Sequence, residues 1–429
     1  MIFSFYTLGC KVNQYETQAM EQELCRRGHT LSEFSALCDC YIVNSCTVTA
    51  VSDKKTRAAL RQARRRNPNA VIGVCGCYAQ TQPEALRALN VNVISGTGDR
   101  IAFLDALEQA ALHPGTQAEL VSPSRELRSF EELPAGGLEG RTRAMLKVQD
   151  GCDNYCTYCI IPYARGPVRS LPIPSAVTQL HRLAAEGYRE CVVTGIEVAS
   201  WGRDLAPRQS PAALFAALCE AEPTMRIRIG SLEPRIVDED FCQRLSGFSN
   251  LCPQFHLSLQ SGCDATLKRM ARRYGTARFM HSVTLLREAF PGCAITTDLI
   301  TGFPGEDEAE FAQTLQFMRD VGFAAMHIFP YSVRTGTRAA KMPGQVPAAE
   351  KEARAARAAA LAAELTAQYR SAMIGQVVPV LFEQPGSGGF WGHAPNYVPV
   401  CVPDAQLHGQ IRDVEITAVG DGCVIGRIV

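Results

Sequence analysis

Short strands alternate with helices along most of this chain, and this alternation constrains the fold more than any other feature of the sequence. Up to about residue 111, each of the runs FSFYTLG, CYIVNS, AVIGVCG and VNVIS is followed by a helical stretch. From about residue 143, six strand candidates recur at longer spacing: AMLKVQ, CVVTG, RIRIG, QFHLS, AITTDLI and AMHIFPY. The sequence therefore predicts an α/β protein, with a parallel-sheet domain over residues 1–111 and a six-stranded partial β/α barrel over residues 143–373.

Two segments interrupt this alternation. Residues 112–142 are rich in Pro, Gly and Ser, which predicts a linker. Residues 374–429 contain the strand candidates VVPVLFEQ, FWGHAPNYVPVCV, IRDVEITAVG and CVIGRIV with Gly and Pro turns and no helix between them. This pattern predicts a small all-β barrel at the C-terminus, preceded by an Ala-rich helix over residues 348–370.

Charge and cysteine content limit the class of protein. The 43 Lys and Arg residues balance 43 Asp and Glu residues, so any surface that binds nucleic acid must be local. No apolar run is long enough to span a bilayer, and MIFSFYTLGCKV has no basic region before its apolar stretch, so we expect a cytoplasmic protein without a membrane partner. Because the cytosol keeps thiols reduced, the 18 cysteines favour metal or cluster ligation over a disulfide framework.

Three cysteines follow the first barrel strand with the spacing C-x3-C-x2-C: Cys152, Cys156 and Cys159. Their loop lies at the carboxyl end of the strand, where β/α barrels carry their chemistry. A structural zinc site takes four protein ligands, and the sequence shows no second pair of ligands after this loop. Three thiolates on a four-iron cluster leave one iron open, which predicts a site where a small chelating molecule binds.

A second set of cysteines follows three strands of the N-terminal domain. Cys10, Cys46 and Cys77 come after FSFYTLG, YIVNS and AVIGVCG. Since the carboxyl ends of neighbouring parallel strands meet at one edge of a sheet, we expect these thiols to converge and to hold a second four-iron cluster. Cys75, two residues earlier and within the strand, is the alternative to Cys77, and three ordinary buried thiols are the alternative to the whole site.

Basic residues line one face of a predicted helix, DKKTRAALRQARRR. Arg57, Arg61 and Arg64 are spaced i, i+4 and i+7, with Lys54 above them. Since this helix begins just after the second cysteine loop of the N-terminal domain, its face is a candidate for binding RNA phosphates. A solvated helix face is the alternative. The C-terminal barrel has only two arginines against five carboxylates, which predicts weak electrostatic attraction for RNA.

The order of these motifs resembles the radical S-adenosylmethionine (SAM) methylthiotransferase family along almost the whole chain. TLGCKVNQYET, NSCTV and GCYAQ are similar to the three N-terminal cluster loops of that family, and GCYAQ indicates Cys77. GCDNYCTYCIIPYARGPVRS resembles its radical SAM loop, and FHLSLQSGCDATLKRMARRY, TDLITGFPGEDEAEF and HIFPYSVRTGTRAAKM resemble later barrel segments. The resemblance implies a radical SAM barrel, a C-terminal TRAM barrel, two 4Fe–4S clusters and S-adenosyl-L-methionine.

The first cysteine loop indicates a branch of this family. GCKVNQYET is similar to the branch that modifies N6-threonylcarbamoyladenosine, whereas the isopentenyladenosine branch tends to carry GCQMN and the ribosomal-protein branch GCxKN. The implied reaction replaces the C2 hydrogen of adenosine 37 of tRNA with a methylthio group, using sulfur from the N-terminal cluster and a second SAM as methyl donor. It also implies an electron donor and a sulfur donor. One alternative is the same chemistry on isopentenyladenosine or on a ribosomal-protein side chain. The other is an RNA-binding module without catalysis, stabilised by a cluster or zinc.

The resemblance further implies residues that bind SAM. These candidates are Tyr158, Gly195, Glu197, Ser231, Glu233 and Gln260. The tyrosine precedes the last cysteine of its loop, where an aromatic residue tends to flank the adenine of SAM. Gly-Ile-Glu at 195–197 stands where a Gly-Gly-Glu motif often binds the SAM ammonium, although a solvated loop glutamate is the alternative. The other three candidates end the third and fourth barrel strands and are expected to face the mouth.

Overall fold

The computed structural model of this chain describes residues 1–134, 136, 142–403 and 406–429. It consists of a parallel α/β part, a central partial barrel and a small closed barrel, in chain order. The predicted fold class is confirmed. Within the described ranges, no helix combines the length and apolar character needed to cross a membrane.

The N-terminal part is a six-stranded sheet with helices on both faces. Its strands are β1 (Ile2–Thr7), β2 (Thr30–Leu31), β3 (Cys40–Ser45), β4 (Val71–Gly76), β5 (Val93–Ser95) and β6 (Ala118–Leu120). Its helices are α1 (Lys11–Arg26), α2 (Ala50–Arg66), α3 (Cys77–Thr81), α4 (Pro83–Arg87) and α5 (Arg100–Leu112). The strand order is β2-β1-β3-β4-β5-β6, and these pairs are parallel. Since β1, β3 and β4 are neighbours, the loops after them share one edge of the sheet.

The segment predicted to be a linker contributes a strand to this sheet. Ala118–Leu120 pairs in parallel with β5, and Leu133 is buried in the core of the central part. A three-residue strand is too short to show a periodic pattern, so only the tertiary fold reveals it. Within the expected linker, residues 135 and 137–141 lie outside the described residues.

The central part contains all six predicted barrel strands. Its strands are β7 (Arg143–Asp150), β8 (Arg169–Ser170), β9 (Glu190–Gly195), β10 (Arg226–Ile229), β11 (Ser231–Leu232), β12 (Gln254–Leu257), β13 (Ala294–Thr301) and β14 (Ala325–Pro330). Its helices are α6 (Ile161–Arg165), α7 (Ile173–Ala185), α8 (Pro211–Ala221), α9 (Glu239–Leu245), α10 (Asp264–Arg269), α11 (Thr276–Ala289), α12 (Glu308–Val321) and α13 (Ala348–Ser371). Two sheets form the partial barrel, in the orders β10-β9-β7-β8 and β11-β12-β13-β14.

Strand β7 shows how this barrel is packed. Ala144, Leu146 and Val148 belong to the hydrophobic core that α7 also joins. Side chains alternate along a strand, so the intervening Lys147 points to the opposite face, where it is fully buried beside Glu16 of α1. Helix α1 therefore packs directly against the central part and brings the first cysteine loop to it.

The C-terminal part is a closed five-stranded barrel. Its strands are β15 (Val377–Gly386), β16 (Gly389–His393), β17 (Pro399–Val402), β18 (Ile411–Val419) and β19 (Val424–Ile428), in the order β15-β16-β17-β19-β18. The run FWGHAPNYVPVCV thus forms two strands rather than one. This barrel has its own hydrophobic core, which includes Val380, Phe390 and Val414.

Candidate active site

The three N-terminal cysteine loops meet at one edge of the sheet. Gly9 lies so close to Cys46 that a Cβ at residue 9 would be 2.9 Å from the Cys46 Cβ and 3.1 Å from its sulfur. Gly76 is equally close to the Cys46 loop, because a Cβ there would be 2.5 Å from the Ser45 carbonyl oxygen. These glycines have φ values of +108° and +91°. Glycine is therefore required at both positions for the loops to approach this closely.

Asn13 connects two of these loops. It is buried, and its side-chain amide donates to the carbonyl oxygens of Leu8 and Ser45 at 2.8 and 3.0 Å. Its Oδ1 lies 3.8 Å from the Cys10 sulfur and accepts a hydrogen bond from Arg165 Nη2 at 2.7 Å. One buried side chain thus fixes the ends of β1 and β3 relative to each other.

Arg165 reaches the third loop from α6 of the central part. Its Nε donates to the Cys77 sulfur at 3.3 Å. Burial raises the pKa of the Cys77 thiol to about 12; the Arg165 guanidinium opposes this rise, and the nearby Cys46 and Cys10 thiols add to it. Cys75, by contrast, belongs to the hydrophobic cluster that also contains residues of α5. The structure therefore brings Cys10, Cys46 and Cys77 together and places Cys75 in the core.

A buried network of charges lies beneath this edge. The network consists of Glu16, Glu131 and Asp150 together with Arg100, Lys147, Arg165 and Arg169. Glu16 is fully buried and accepts from Arg100 at 2.7 Å and from Lys147 at 3.0 Å. Four cations thus face three carboxylates in this network. Buried charge requires compensation, and an anionic group at the adjacent thiols would provide it.

The C-x3-C-x2-C loop lies at the mouth of the barrel after β7. Cys152 and Cys156 are buried and Cys159 is half-buried. Burial raises the pKa of Cys159 to about 12, and the Cys156 thiol adds to the rise. Arg272 donates from Nη1 to the Cys156 sulfur at 3.3 Å, while its buried Nη2 has no hydrogen-bond partner among the residues described. An unused guanidinium donor beside three thiols suits an anionic ligand.

Both cysteine sets have the donor chemistry of an iron–sulfur site. In the part of the chain that the structure describes, no group of three or more His, Cys, Asp or Glu side chains is arranged to hold a metal ion. A single metal ion needs all its ligands within bonding distance of one point. The thiolates of a four-iron cluster bind different irons and therefore stand farther apart. Each set offers three thiols and one arginine hydrogen bond to a thiol, which suits an anionic cluster.

Glu197 and Gly195 lie against the end of β7. Glu197 Oε2 accepts from Asn154 Nδ2 at 2.9 Å, and the Glu197 backbone N–H donates to Gln149 at 2.7 Å. Burial raises the pKa of Glu197 to about 7, with the Arg272 guanidinium opposing. A Cβ at residue 195 would be 2.9 Å from the Gln149 Cβ, so Gly195 permits this close packing. The Glu197 carboxylate therefore faces the C-x3-C-x2-C loop from within the protein.

The other predicted SAM-binding residues have different surroundings. Glu233 is buried and forms a bidentate pair with Arg235, with oxygen–nitrogen distances of 2.6 and 2.7 Å. Ser231 is exposed. Gln260 has a φ of +68°, a left-handed conformation rarely adopted by residues other than glycine. Gln260 and Tyr158 both line a cavity that Cys159 and the residues after Cys46 also border.

That cavity has a volume of about 260 Å³. Its lining includes Val48 and Thr49, two and three residues after Cys46, together with Tyr158 and Cys159. The wall is completed by Ile160, Ile161, Gln260, Asp298, Ile300 and residues 329–332 at and after the end of β14. Its walls combine aromatic and aliphatic side chains with a few polar groups, as in sites that take up a flat ring. The cavity therefore places one ligand within reach of both cysteine loops.

Comparison with known proteins identifies the family. Residues 3–96 match the model of uncharacterized protein family UPF0004, and residues 146–318 match the radical SAM superfamily. The chain is 38% identical over 424 residues to a threonylcarbamoyladenosine tRNA methylthiotransferase of Bacillus subtilis, covering 97% of this chain and 94% of that one. The chain belongs to the radical SAM methylthiotransferase family. The corresponding protein of Thermotoga maritima is 37% identical, covering 88% and 85% of the two chains.

Two solved structures of radical SAM enzymes share the fold of this methylthiotransferase. The radical SAM methyltransferase TsrM from Kitasatospora setae superposes with a TM-score of 0.55 at 14% identity, covering 76% of this chain and 72% of that one. The cobalamin-dependent SAM radical enzyme OxsB superposes with a TM-score of 0.54 at 12% identity, covering 79% of this chain and 54% of that one. At such identities the likeness concerns the fold alone. As a member of its family, this methylthiotransferase is an enzyme that uses SAM and a 4Fe–4S cluster.

The basic face of α2 divides into free and engaged residues. Lys54 and Arg61 are exposed, and Arg57 donates to the Tyr78 hydroxyl at 2.8 Å. Arg64, which was expected to be available for RNA phosphates, uses its guanidinium within the protein. Its guanidinium donates to the carbonyl oxygens of Pro68, Ala70 and Asn90 and to the side chain of Asn92. The loop after α2 folds back over this arginine, which the helical spacing could not indicate, so Arg64 stabilises the end of the helix.

Sequence reasoning missed the side chains that join the parts of this methylthiotransferase. Arg165 and Arg272 stand within stretches that carry the family resemblance, PYARG and RMARRYG, but a single arginine in a loop forms no pattern. Arg334 was missed for the same reason. Its Nη2 donates to Thr47 Oγ1 at 2.6 Å and to Asp53 Oδ2 at 2.8 Å, which holds the segment after β14 against the Cys46 loop.

Proposed function

We propose that this enzyme replaces the C2 hydrogen of N6-threonylcarbamoyladenosine 37 in tRNA with a methylthio group. The observation that carries the proposal is the cavity shared by the Cys46 loop and the Cys159 loop. An adenine ring in this cavity would contact Cys159 and the residues that follow Cys46, Val48 and Thr49. The choice of nucleoside is supported by the relatives at 38% and 37% identity, whose names specify threonylcarbamoyladenosine.

Each cysteine set has one role in this proposal. Cys152, Cys156 and Cys159 would hold a 4Fe–4S cluster with SAM, which would supply the radical chemistry that removes the C2 hydrogen. Cys10, Cys46 and Cys77 would hold a second 4Fe–4S cluster as the source of sulfur, and a second SAM would supply the methyl group. The fold buries Cys46 and Cys77 of one set and Cys152 and Cys156 of the other, whereas Cys159 is half-buried and Cys10 is exposed. An external electron donor and an external sulfur donor are the further partners that this chemistry requires.

The polar side chains around the C-x3-C-x2-C loop would bind and orient SAM. The Glu197 carboxylate is placed to accept a charge-assisted hydrogen bond from an ammonium group. The unpartnered Nη2 of Arg272 is suited to an anionic group, such as a carboxylate. Tyr158 and Gln260 line the cavity assigned to the substrate adenine, so we place them where SAM and the substrate ring would meet. We assign Gly195, Ser231 and Glu233 to the same binding region at the ends of β9 and β11.

The nucleoside content of tRNA tests the reaction and the substrate together. A strain that lacks this enzyme should lose the methylthio form of threonylcarbamoyladenosine and retain methylthio-isopentenyladenosine, as measured by mass spectrometry of digested tRNA. The unchanged chain and Cys75→Ala should restore the nucleoside, whereas Cys77→Ala should not. An intact profile in the deletion strain rejects a tRNA substrate, and loss of the isopentenyl nucleoside alone assigns the enzyme to the other tRNA branch.

Iron content tests the two cluster sites separately from the substrate. Anaerobically reconstituted protein should contain about eight irons per chain, since two 4Fe–4S clusters hold four each, and should form 5′-deoxyadenosine from SAM on reduction. Cys77→Ala should retain about four irons, and Cys75→Ala about eight. Zinc without SAM cleavage would instead indicate an RNA-binding module.

A further inference from the structure

Arg165 is close in sequence to the C-x3-C-x2-C loop, but its side chain lies at the N-terminal cysteine set. It follows Cys159 by six residues. We propose that Arg165 is a positioning residue that donates a hydrogen bond to the Cys77 thiolate and so raises the reduction potential of the N-terminal cluster. This inference rests on the proposed function, because it requires a cluster at Cys10, Cys46 and Cys77.

The contacts of Arg165 fix the direction of its Nε–H group. The side chain is fully buried, and Nε donates to the Cys77 sulfur at 3.3 Å. Nη2 donates to Asn13 at 2.7 Å and to Glu16 at 3.1 Å, and Nη1 donates to Asp150 at 3.3 Å. A guanidinium held by three buried side chains cannot turn away from the sulfur. The hydrogen bond to Cys77 is therefore a built feature of the interface between the N-terminal and central parts.

A hydrogen bond and a buried cation act in the same direction on a cluster. Hydrogen bonds to the sulfurs, local charge and solvent exposure set the reduction potential of iron–sulfur clusters. Reduction adds negative charge, which a nearby cation and a donated hydrogen bond stabilise, so both raise the potential. Arginine remains protonated in proteins, so Arg165 acts as a permanent cation beside the thiols. The network that contains Arg165 has four cations and three carboxylates, so its carboxylates do not cancel its positive charge.

Arg272 provides a comparison within the same chain. It donates to the Cys156 sulfur at 3.3 Å, the distance also found between Arg165 and Cys77. Each cysteine set thus has an arginine hydrogen bond to one of its thiols, and the two arginines come from different segments of the central part, the end of α6 and the residues after α10. If each arginine acts on its own cluster, replacing Arg165 should change the potential of the N-terminal cluster alone.

The experiment measures each cluster in isolation within the full chain. Replacing Cys152, Cys156 and Cys159 together with alanine leaves the N-terminal cluster for redox titration followed by electron paramagnetic resonance. In this background, Arg165→Gln with Glu16→Gln removes one cation and one carboxylate together, which limits the disturbance of the buried charge. The potential should shift to more negative values than in Glu16→Gln alone. Arg165→Lys should give an intermediate shift, because it retains the charge and loses the Nε–H group.

Two controls separate this effect from a general loss of structure. Arg272→Gln should leave the potential of the N-terminal cluster unchanged. In the reciprocal background, in which Cys10, Cys46 and Cys77 are alanine, Arg165→Gln with Glu16→Gln should leave the remaining cluster unchanged. An unshifted N-terminal potential with iron retained overturns the inference, and so does an equal shift from Arg272→Gln.

Iron analysis distinguishes the inference from the proposed function. If the Cys152, Cys156 and Cys159 triple variant binds no cluster, the second cluster and with it the inference are rejected. If that variant holds its cluster but Arg165→Lys and the Arg165→Gln, Glu16→Gln pair both lose iron, Arg165 serves assembly rather than potential, and only the inference is overturned.

Discussion

Gly76 is the last residue of β4, immediately before Cys77, and allows the end of β3 to pack directly against it. A Cβ at this position would be 2.5 Å from the Ser45 carbonyl oxygen and 2.7 Å from the Asn44 side chain. The backbone conformation, with φ +91° and ψ −165°, adds strain of about 1–3 kcal/mol for any other residue. We expect Gly76→Ala to lower the free energy of unfolding by more than this strain, because the backbone carbonyl cannot move aside. Urea denaturation of the cluster-free protein measures the change.

Gly28 is a matched control for Gly76. Its φ of +84° is similar, but a Cβ at residue 28 would meet nothing within 4 Å. Gly28→Ala should therefore cost only the backbone strain and leave the iron content unchanged, whereas Gly76→Ala should also reduce the iron bound at the N-terminal set. Equal destabilisation by the two substitutions would show that the close approach of the loops is unimportant.

Helix α2 begins at Ala50, next to the cavity residue Thr49, and carries the exposed Lys54 and Arg61 along its length. We expect Lys54→Glu with Arg61→Glu to weaken tRNA binding at low salt. Each phosphate contact that is lost should lower the slope of log affinity against log salt by about 1. Fluorescence anisotropy with labelled tRNA over a range of salt concentrations measures both quantities.

Arg244 on α9 is the control for this charge reversal. It is exposed and pairs with Asp240, one turn away on an outer helix of the central part. Arg244→Glu changes the charge of the protein by the same amount per residue without altering α2. If Arg244→Glu lowered the salt slope as much per residue as the α2 variant, the effect would come from net charge, and α2 would not be a binding surface.

The elements of this fold were predictable to the extent that their sequence patterns are local. The six main barrel strands follow from short apolar runs that alternate with helical stretches, and the convergence of Cys10, Cys46 and Cys77 follows from parallel strand order. Strand β6 and the fold-back over Arg64 were missed, because both are decided by contacts with distant segments. Arg165 shows the same limit, since its partner Cys77 lies 88 residues away.

At the scale of the whole molecule, Arg228 in β10 joins the C-terminal barrel to the central part. Arg228 is buried and forms a bidentate pair with Glu190 at 2.7 and 3.0 Å. It also donates to the Pro395 carbonyl oxygen at 2.8 Å and stacks over the Tyr397 ring, 4.6 Å from its centroid. One side chain therefore links the interior of the central barrel to the turn between β16 and β17.

Replacing Arg228 should destabilise the whole chain, because Glu190 is fully buried and would lose its bidentate partner. Breaking a buried ion pair from one side costs about 3–5 kcal/mol, so we expect Arg228→Gln to lower the free energy of unfolding by that order. Arg244→Gln, which breaks an exposed pair, should cost less than about 1 kcal/mol. Denaturation followed by tryptophan fluorescence suits this comparison, since Trp391 lies in β16 and Trp201 in the central core. If both variants unfolded at the same denaturant concentration, the contact between Arg228 and the C-terminal barrel would contribute nothing to the cohesion of the two parts.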